Sequence, residues 1–213
     1  MKDTTKALYK ALITRHPELE NLPLLEAAEL LTQAMRAGHK LLLCGNGGSC
    51  ADCDHIAGEL LKGFLKKRPV PEAFSQQMEE LYPGSGKRIS RNLQVGLPVI
   101  SLTAHAAAIS AFANDVSSEN VYAQQVLAYG NPGDVLIGIS TSGNSRNVVN
   151  ALKTANALGL TTIALTGNGG GQAAHISTLS LPSPETETYL VQESHLQIYH
   201  FLCAAVENEV FDC

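Results

Sequence analysis

No apolar run in these 213 residues approaches the roughly 20 needed to cross a bilayer. The N-terminus, Met1-Lys2-Asp3-Thr4-Thr5-Lys6, opens into an amphipathic stretch in place of the apolar core of a signal peptide. Cytoplasmic residence is therefore the expectation. Positive charge is also scarce. Fifteen Lys and Arg against 20 Asp and Glu leave a net charge of −5, which argues against a surface built to attract nucleic acid or anionic membrane. The five cysteines are an odd number and lack the spacing of a secreted disulfide framework. Cys44, Cys50 and Cys53 do cluster near His55, but a structural zinc site wants four ligands where only two spaced thiols are offered. Cys44 lies in an apolar run and reads as a small core residue. With 45% hydrophobic and only 16% charged residues, the composition is not that of a disordered chain and supplies ample core. The length suits a single domain over residues 1–213.

Along the chain, residues from about Thr5 to Ala37 read as two helices. Leu8, Ala11 and Leu12 recur at helical spacing, Pro17 interrupts them, and Leu24, Leu25, Ala28, Leu31 and Met35 resume the pattern up to Gly38. This N-terminal helical hairpin (residues 1–38) either contacts another subunit or caps the domain's own core. Five short apolar runs follow: Lys40–Cys44, Leu97–Leu102, Asp134–Ile139, Thr161–Leu165 and His175–Leu181. Helical stretches come between or after them at about Cys50 to Phe64, Ser145 to Leu158 and Glu187 to Phe211. Strands apolar on both faces, alternating with helices, predict an α/β fold: a three-layer, doubly wound, mostly parallel five-stranded sheet. Ligands of such sheets sit beyond the carboxyl ends of the strands.

The alternation breaks between Leu65 and Gln94, where Pro69, Pro71 and Pro83 surround a predicted helix from Glu72 to Leu81. Lys66, Lys67, Arg68, Lys87, Arg88 and Arg91 lie here and Lys62 just before, together seven of the 15 cations. This basic insertion (residues 65–94) is either a solvated excursion or an arm that meets an anionic substrate.

Three loops stand at strand ends. Gly45-Asn46-Gly47-Gly48-Ser49 precedes a helix, and its glycines let backbone N–H groups approach an anion. It matches neither the Walker pattern nor the dinucleotide fingerprint. Ser140-Thr141-Ser142-Gly143-Asn144-Ser145 offers four hydroxyls at a helix start, where a simple cap needs one. Phosphate binding is the expectation here. Thr166-Gly167-Asn168-Gly169-Gly170-Gly171 lacks the hydroxyls and reads as a flexible turn. His55 and Glu59, four apart, share one helix face and suit metal binding or acid–base work. On the last helix, Gln192 and His195 lie near one stripe and His200 about 80° from Gln192, so periodicity does not choose between the histidines. Asn114-Asp115 could meet a sugar hydroxyl or simply form a turn.

Together these residues resemble the SIS (sugar isomerase) domain, a flavodoxin-like fold, and within it the phosphoheptose isomerases. The motifs Cys44–Ser49, His55-x-x-x-Glu59, Asn114-Asp115, Gly138–Ser145 and Gln192-Glu193 through His200 occur in that family's order. The resemblance implies an aldose–ketose isomerase acting on sedoheptulose 7-phosphate. It implies phosphate binding by Ser140, Thr141, Ser142 and Ser145. Sugar contacts would come from Asn46, Gly47, Gly48, Ser49, Asn114, Asp115 and Gln192, together with the catalytic Glu59. A zinc ion would be held by His55, Glu59, Gln192 and His200, and the protein would be a homotetramer with active sites at subunit boundaries. The family pattern is what selects His200 over His195. Glu59 would be the base and His200 the acid or proton shuttle of an enediol mechanism, with zinc polarising the carbonyl.

Two departures bear on the substrate. Tyr189 stands where members often carry an acidic residue, and the basic insertion is long. The rival readings are a non-catalytic SIS-domain regulator that binds a sugar phosphate, and an isomerase for another sugar phosphate. Retention of His55, Glu59, Gln192 and His200 favours the enzyme.

Overall fold

The computed structural model describes residues 1–211. Two helices, α1 (Asp3–Arg15) and α2 (Leu24–Arg36), open the chain and are joined through a single tight turn at Pro17–Leu19. Leu12, Leu19, Leu24, Ala27, Ala28 and Leu31 are all buried. They pack in the same cluster as Ile198, Leu202 and Val206 near the chain's end, so the hairpin caps the domain's own core.

Five strands then form one wholly parallel sheet: β1 (Leu41–Gly45), β2 (Val99–Ser101), β3 (Val135–Ser140), β4 (Thr161–Thr166) and β5 (Leu179–Pro182), in the order β2-β1-β3-β4-β5. Side chains alternate between the faces. Leu41, Leu43, Ile137 and Leu165 join the core beneath α2, α3 (Gly48–Leu61) and α10 (Thr188–Val210). Leu42, Cys44, Leu136 and Ala164 join the opposite core, beneath α7 (Val121–Tyr129) and α8 (Arg146–Ala157). The interior strands β1 and β3 are buried along their whole length, which is why they read as continuous apolar runs. Burial pushes the Cys44 thiol up to about 12, as suits a core residue. Cys44, Cys50, Cys53 and Cys203 are all free thiols.

Several boundaries differ from expectation, the second strand among them, which is Val99–Ser101 and not Leu97–Leu102; two of the differences have a plain local reason. The helix predicted to reach Phe64 stops at Leu61 because the next N–H groups turn away to a distant carboxylate: Phe64 N and Leu65 N donate to Glu207 at 2.8 and 2.7 Å. The strand predicted from His175 begins only at Leu179. Residues Gly171–Ile176 form the short helix α9 instead, with Ala173 buried and the Ile176 carbonyl accepting from Asn156 Nδ2 at 2.8 Å.

Between α3 and β2 lie α4 (Glu72–Leu81) and α5 (Gly86–Ser90). They hold each other: Ser75 and Ser90 hydroxyls meet at 2.7 Å, and Glu79 accepts from Gly84 N and Lys87 N. No residue of α4 is buried. The base of this excursion is pinned by a Pro69–Gln94 bridge and by Val95 N donating to Arg68 O at 2.7 Å.

Candidate active site at the carboxyl end of the sheet

The strand order places the switch point between β1 and β3, whose outward neighbours run to opposite edges. A crevice opens at such a point, outside the carboxyl ends. The loops after these two strands are the glycine-rich loop 45–49 and the serine-rich loop 140–145. Their spacing is fixed by a reciprocal amide pair, Asn46 and Asn147, each donating to the other at 2.9 Å. Tyr122 OH braces the first loop by donating to Gly45 O at 2.7 Å. The start of α3 lies against Gln192 of α10: a Cβ on Gly48 would stand 2.8 Å from Gln192 Cδ. Ser49 is buried under this contact.

In the serine-rich loop the hydroxyls divide by role. Ser140 is buried; its Oγ donates to Ser145 Oγ at 3.0 Å and accepts from Ser145 N at 3.4 Å. Ser142 is exposed and its Oγ accepts from Asn144 N at 3.2 Å, while Thr141 and Ser145 are half-buried. The first N–H groups of α8 have no intrahelical acceptor and sit at the positive end of its dipole. Hydroxyls and N–H groups gathered at a helix start are groups that can bind an anion without a cation, which makes this loop a candidate anion cradle.

The Thr166–Gly171 stretch, read from the sequence as a flexible turn, is packed against this cradle. Gly167 N donates to Thr141 O and Ala173 N to Gly143 O, both at 2.9 Å. Gln172 N donates to Asn144 Oδ1 at 3.0 Å. A Cβ on Gly143, whose φ is 65°, would overlap the Gly170 carbonyl. Glycine here permits backbone-to-backbone contact that no other residue allows.

A second group of polar side chains gathers where α3 meets α10. His55 Nε2 lies 3.3 Å from Glu59 Oε1 and 3.4 Å from His200 Nε2. On its other side, His55 Nδ1 is 3.0 Å from Tyr199 OH, which donates to Asp52 Oδ1 at 3.1 Å. Since the phenol's one proton goes to Asp52, its oxygen accepts from His55 Nδ1–H, which fixes the orientation of the ring. Burial, and next the charge of His55, hold His200 below its usual value against the opposing pull of Glu59. Burial raises Asp52, while the Tyr199 hydrogen bond and His55 draw it back. Lys62 Nζ reaches Glu59 Oε2 at 3.3 Å.

The zinc expectation is corrected by this arrangement. Among the described residues, no group of three or more His, Cys, Asp or Glu side chains is disposed to hold a metal ion. The imidazoles of His55 and His200 and the Glu59 carboxylate are turned onto one another, and Gln192 is occupied against Gly48. His55, Glu59, Gln192 and His200 are thus not arranged as a zinc site.

His195 is a core residue. It is fully buried, its Nε2 donates to Thr166 O at 3.0 Å, and burial lowers its pKa. Asn114 and Asp115 lie in an exposed wide turn at Ala113–Ser117, where Asn114 Nδ2 donates to Asp115 Oδ1 at 2.8 Å. The adjoining residues do reach the cradle's helix, since Glu119 pairs with Arg146 and Asn120 accepts from Asn150. Tyr189 is exposed near the start of α10. Asp52 and Asn147 went unread in the sequence. Asp52 had a signal, standing three residues before His55 on one helix; Asn147 had none beyond its place in the first turn of α8.

The chain's likeness to known proteins agrees with this geometry. The sequence profile described as the SIS domain matches residues 6–91 and 76–167. The phosphoheptose isomerase of Rhodospirillum rubrum is 38% identical over 183 residues, covering 86% of this chain and 84% of the relative. Among solved structures, the phosphoheptose isomerase from Neisseria gonorrhoeae superposes with a TM-score of 0.73 at 32% identity, covering 97% of this chain and 98% of that one. The one from Francisella tularensis gives 0.74 at 28% identity, with coverage of 98% and 100%.

Proposed function

This chain belongs to the phosphoheptose isomerase family of SIS-domain proteins and is a sugar-phosphate isomerase; on that premise we propose that it interconverts sedoheptulose 7-phosphate with a seven-carbon aldose phosphate. The observation that carries the reading is the meeting of Glu59, His55 and His200 in a chain that also bears the anion cradle. The cradle at Thr141, Ser142 and Ser145 holds the phosphate, with Ser140 shaping it. Asn46, Gly47, Gly48, Ser49 and Gln192 line the sugar's path, and Asn114 and Asp115 approach it from the neighbouring turn.

With the phosphate anchored, Glu59 removes the proton from the carbon beside the carbonyl. The C–H electron pair becomes the carbon–carbon double bond of the enediol, and the former carbonyl oxygen takes a proton from His200. Glu59 then returns the carried proton to the former carbonyl carbon, while the hydroxyl on the carbon it first deprotonated gives its proton back to His200 and becomes the new carbonyl, which completes the isomerisation. His55 connects the two groups. Its Nε2 lies within reach of both, and Tyr199 and Asp52 fix its tautomer. Such positioned proton transfer is worth roughly 10²–10⁴ in rate.

Glu59→Gln is the direct test. Turnover of sedoheptulose 7-phosphate, followed by aldose formation, should fall at least about 10²-fold, while calorimetric binding of the ketose phosphate persists. An active Glu59→Gln enzyme would remove Glu59 from the base role. Turnover of a hexose or amino-sugar phosphate in preference to the heptulose would move the substrate assignment. Assembly into a homotetramer is part of the proposal. Support comes from the apolar side chains Leu61, Leu65, Leu81, Tyr82, Ile89 and Leu93, exposed along one stretch of chain. Among the described residues no helix is long and apolar enough to cross a membrane; residence in the cytoplasm is part of the proposal.

A further inference from the structure

Arg68 belongs by sequence to the basic insertion, yet its side chain is fully buried. It faces Glu207, also buried, with Nε and Nη2 each 2.8 Å from Oε1. The Glu207 carboxylate does more than neutralise it. It accepts from three consecutive backbone N–H groups, Phe64 at 2.8 Å, Leu65 at 2.7 Å and Lys66 at 3.1 Å. Arg68 Nη1 in turn donates to Leu60 O at 2.8 Å, in the last turn of α3, and its guanidinium lies 4.6 Å from the centre of the Phe211 ring.

The elements tied by this pair are those that bear the proton-handling side chains. Leu60 directly follows Glu59 on α3. Glu207 lies seven residues beyond His200 on α10, two turns along the same face. Phe64, whose N–H is held by Glu207, sets its ring 5.7 Å from the His200 ring, tilted by 33°. A hydrophobic pair of similar volume can replace the charges of a buried ion pair, but here it would give the three N–H groups no acceptor and leave the α3 terminus untied. We propose that Arg68 and Glu207 are positioning residues for the isomerase reaction. They lock the end of α3 to α10 and hold Phe64 against His200, so that His200 stands at His55 and Glu59.

The inference rests on the proton-transfer reading of Glu59 and His200, and the experiment separates the two. Steady-state kinetics with sedoheptulose 7-phosphate are measured on the full chain and on Phe64→Ala, Phe64→Tyr, Glu207→Gln, the Phe64→Ala/Glu207→Gln double variant and His200→Asn. Phe64→Ala and Glu207→Gln should each lower kcat by roughly tenfold or more with KM within about twofold, the pattern of a group acting on the reaction step. Phe64→Tyr should restore most of what Phe64→Ala loses. The double variant should be little worse than Glu207→Gln, because both changes act through one contact. Full kcat in Phe64→Ala, or losses that multiply in the double variant, would overturn the inference. If Glu207→Gln does not fold, the contrast between the alanine and tyrosine variants at Phe64 decides alone. His200→Asn at full rate would defeat the underlying reading and the inference together. An inactive His200→Asn beside a fully active Phe64→Ala would defeat the inference only.

Discussion

Gly143 and Gly170 meet backbone to backbone, so that a Cβ on Gly143 would overlap the Gly170 carbonyl oxygen and lie 2.6 Å from its carbon. Two loops from different strands thus share one wall, and the candidate cradle takes part of its shape from the Gly170 loop. Gly143→Ala should cost about 1–3 kcal/mol of stability from positive φ and overlap together. The KM for the sugar phosphate should rise by about tenfold as the cradle opens. Thermal unfolding and steady-state kinetics report the two effects separately.

The hydroxyls of the cradle should separate by the same logic. Ser142→Ala removes an exposed group and should raise KM about tenfold with no change in melting temperature. Ser140→Ala removes a buried hydroxyl that organises Ser145, and should lower stability by about 1 kcal/mol as well as weaken binding. Equal melting temperatures for the two variants would show that Ser140 is not structural.

Tyr199→Phe tests the Asp52–Tyr199–His55 chain. The phenol is the donor to Asp52 and the acceptor from His55, so its loss leaves His55 free to adopt either tautomer. The expected result is a fall in kcat of about tenfold with KM nearly unchanged, and about 1–2 kcal/mol of lost stability. An unaltered kcat would reduce the chain to packing.

Asp134 gives a prediction in pH. Burial alone would raise it, but Lys40 Nζ, Lys40 N at 3.0 Å and Asn131 N at 2.8 Å outweigh that and lower its pKa. A carboxylate depressed in the folded state contributes stability that is complete above its unfolded value, about 3.9. That contribution is lost as pH falls through the lower folded value. Asp134→Asn should therefore be less stable than the parent at neutral pH, by about 1–3 kcal/mol. The gap should narrow in acid, as chemical denaturation at several pH values would show.

The sheet was legible because its interior strands are buried along their whole length, and Leu41–Gly45 and Val135–Ser140 display that as unbroken apolar runs. The two site loops were legible because their glycine and hydroxyl content exceeds what turns or caps require. His55 and Glu59 were visible as a pair through helical spacing. What sequence could not show are partnerships across the chain. Arg68 looked like one more solvent cation because Glu207, 139 residues away, is brought to it only by the packing of α10. His195 and His200 could not be separated by periodicity; burial of one and exposure of the other to His55 does so. The zinc set failed for a related reason. Residue types at the right intervals do not decide whether their donor atoms face a common centre or one another.

The pinned base of the α4–α5 excursion has a consequence for how this chain could be remodelled. Pro69 and Gln94 are already bridged, and Val95 N is bonded to Arg68 O, so the entropy of closing that loop is met at its root and depends only weakly on what lies beyond. Residues 70–93 form a cassette that precedes the edge strand β2 in the chain. Replacing the cassette would leave the interior strand beneath the candidate cradle intact while removing the exposed Leu81, Tyr82, Ile89 and Leu93, so it would separate the stability of the fold from the proposed assembly.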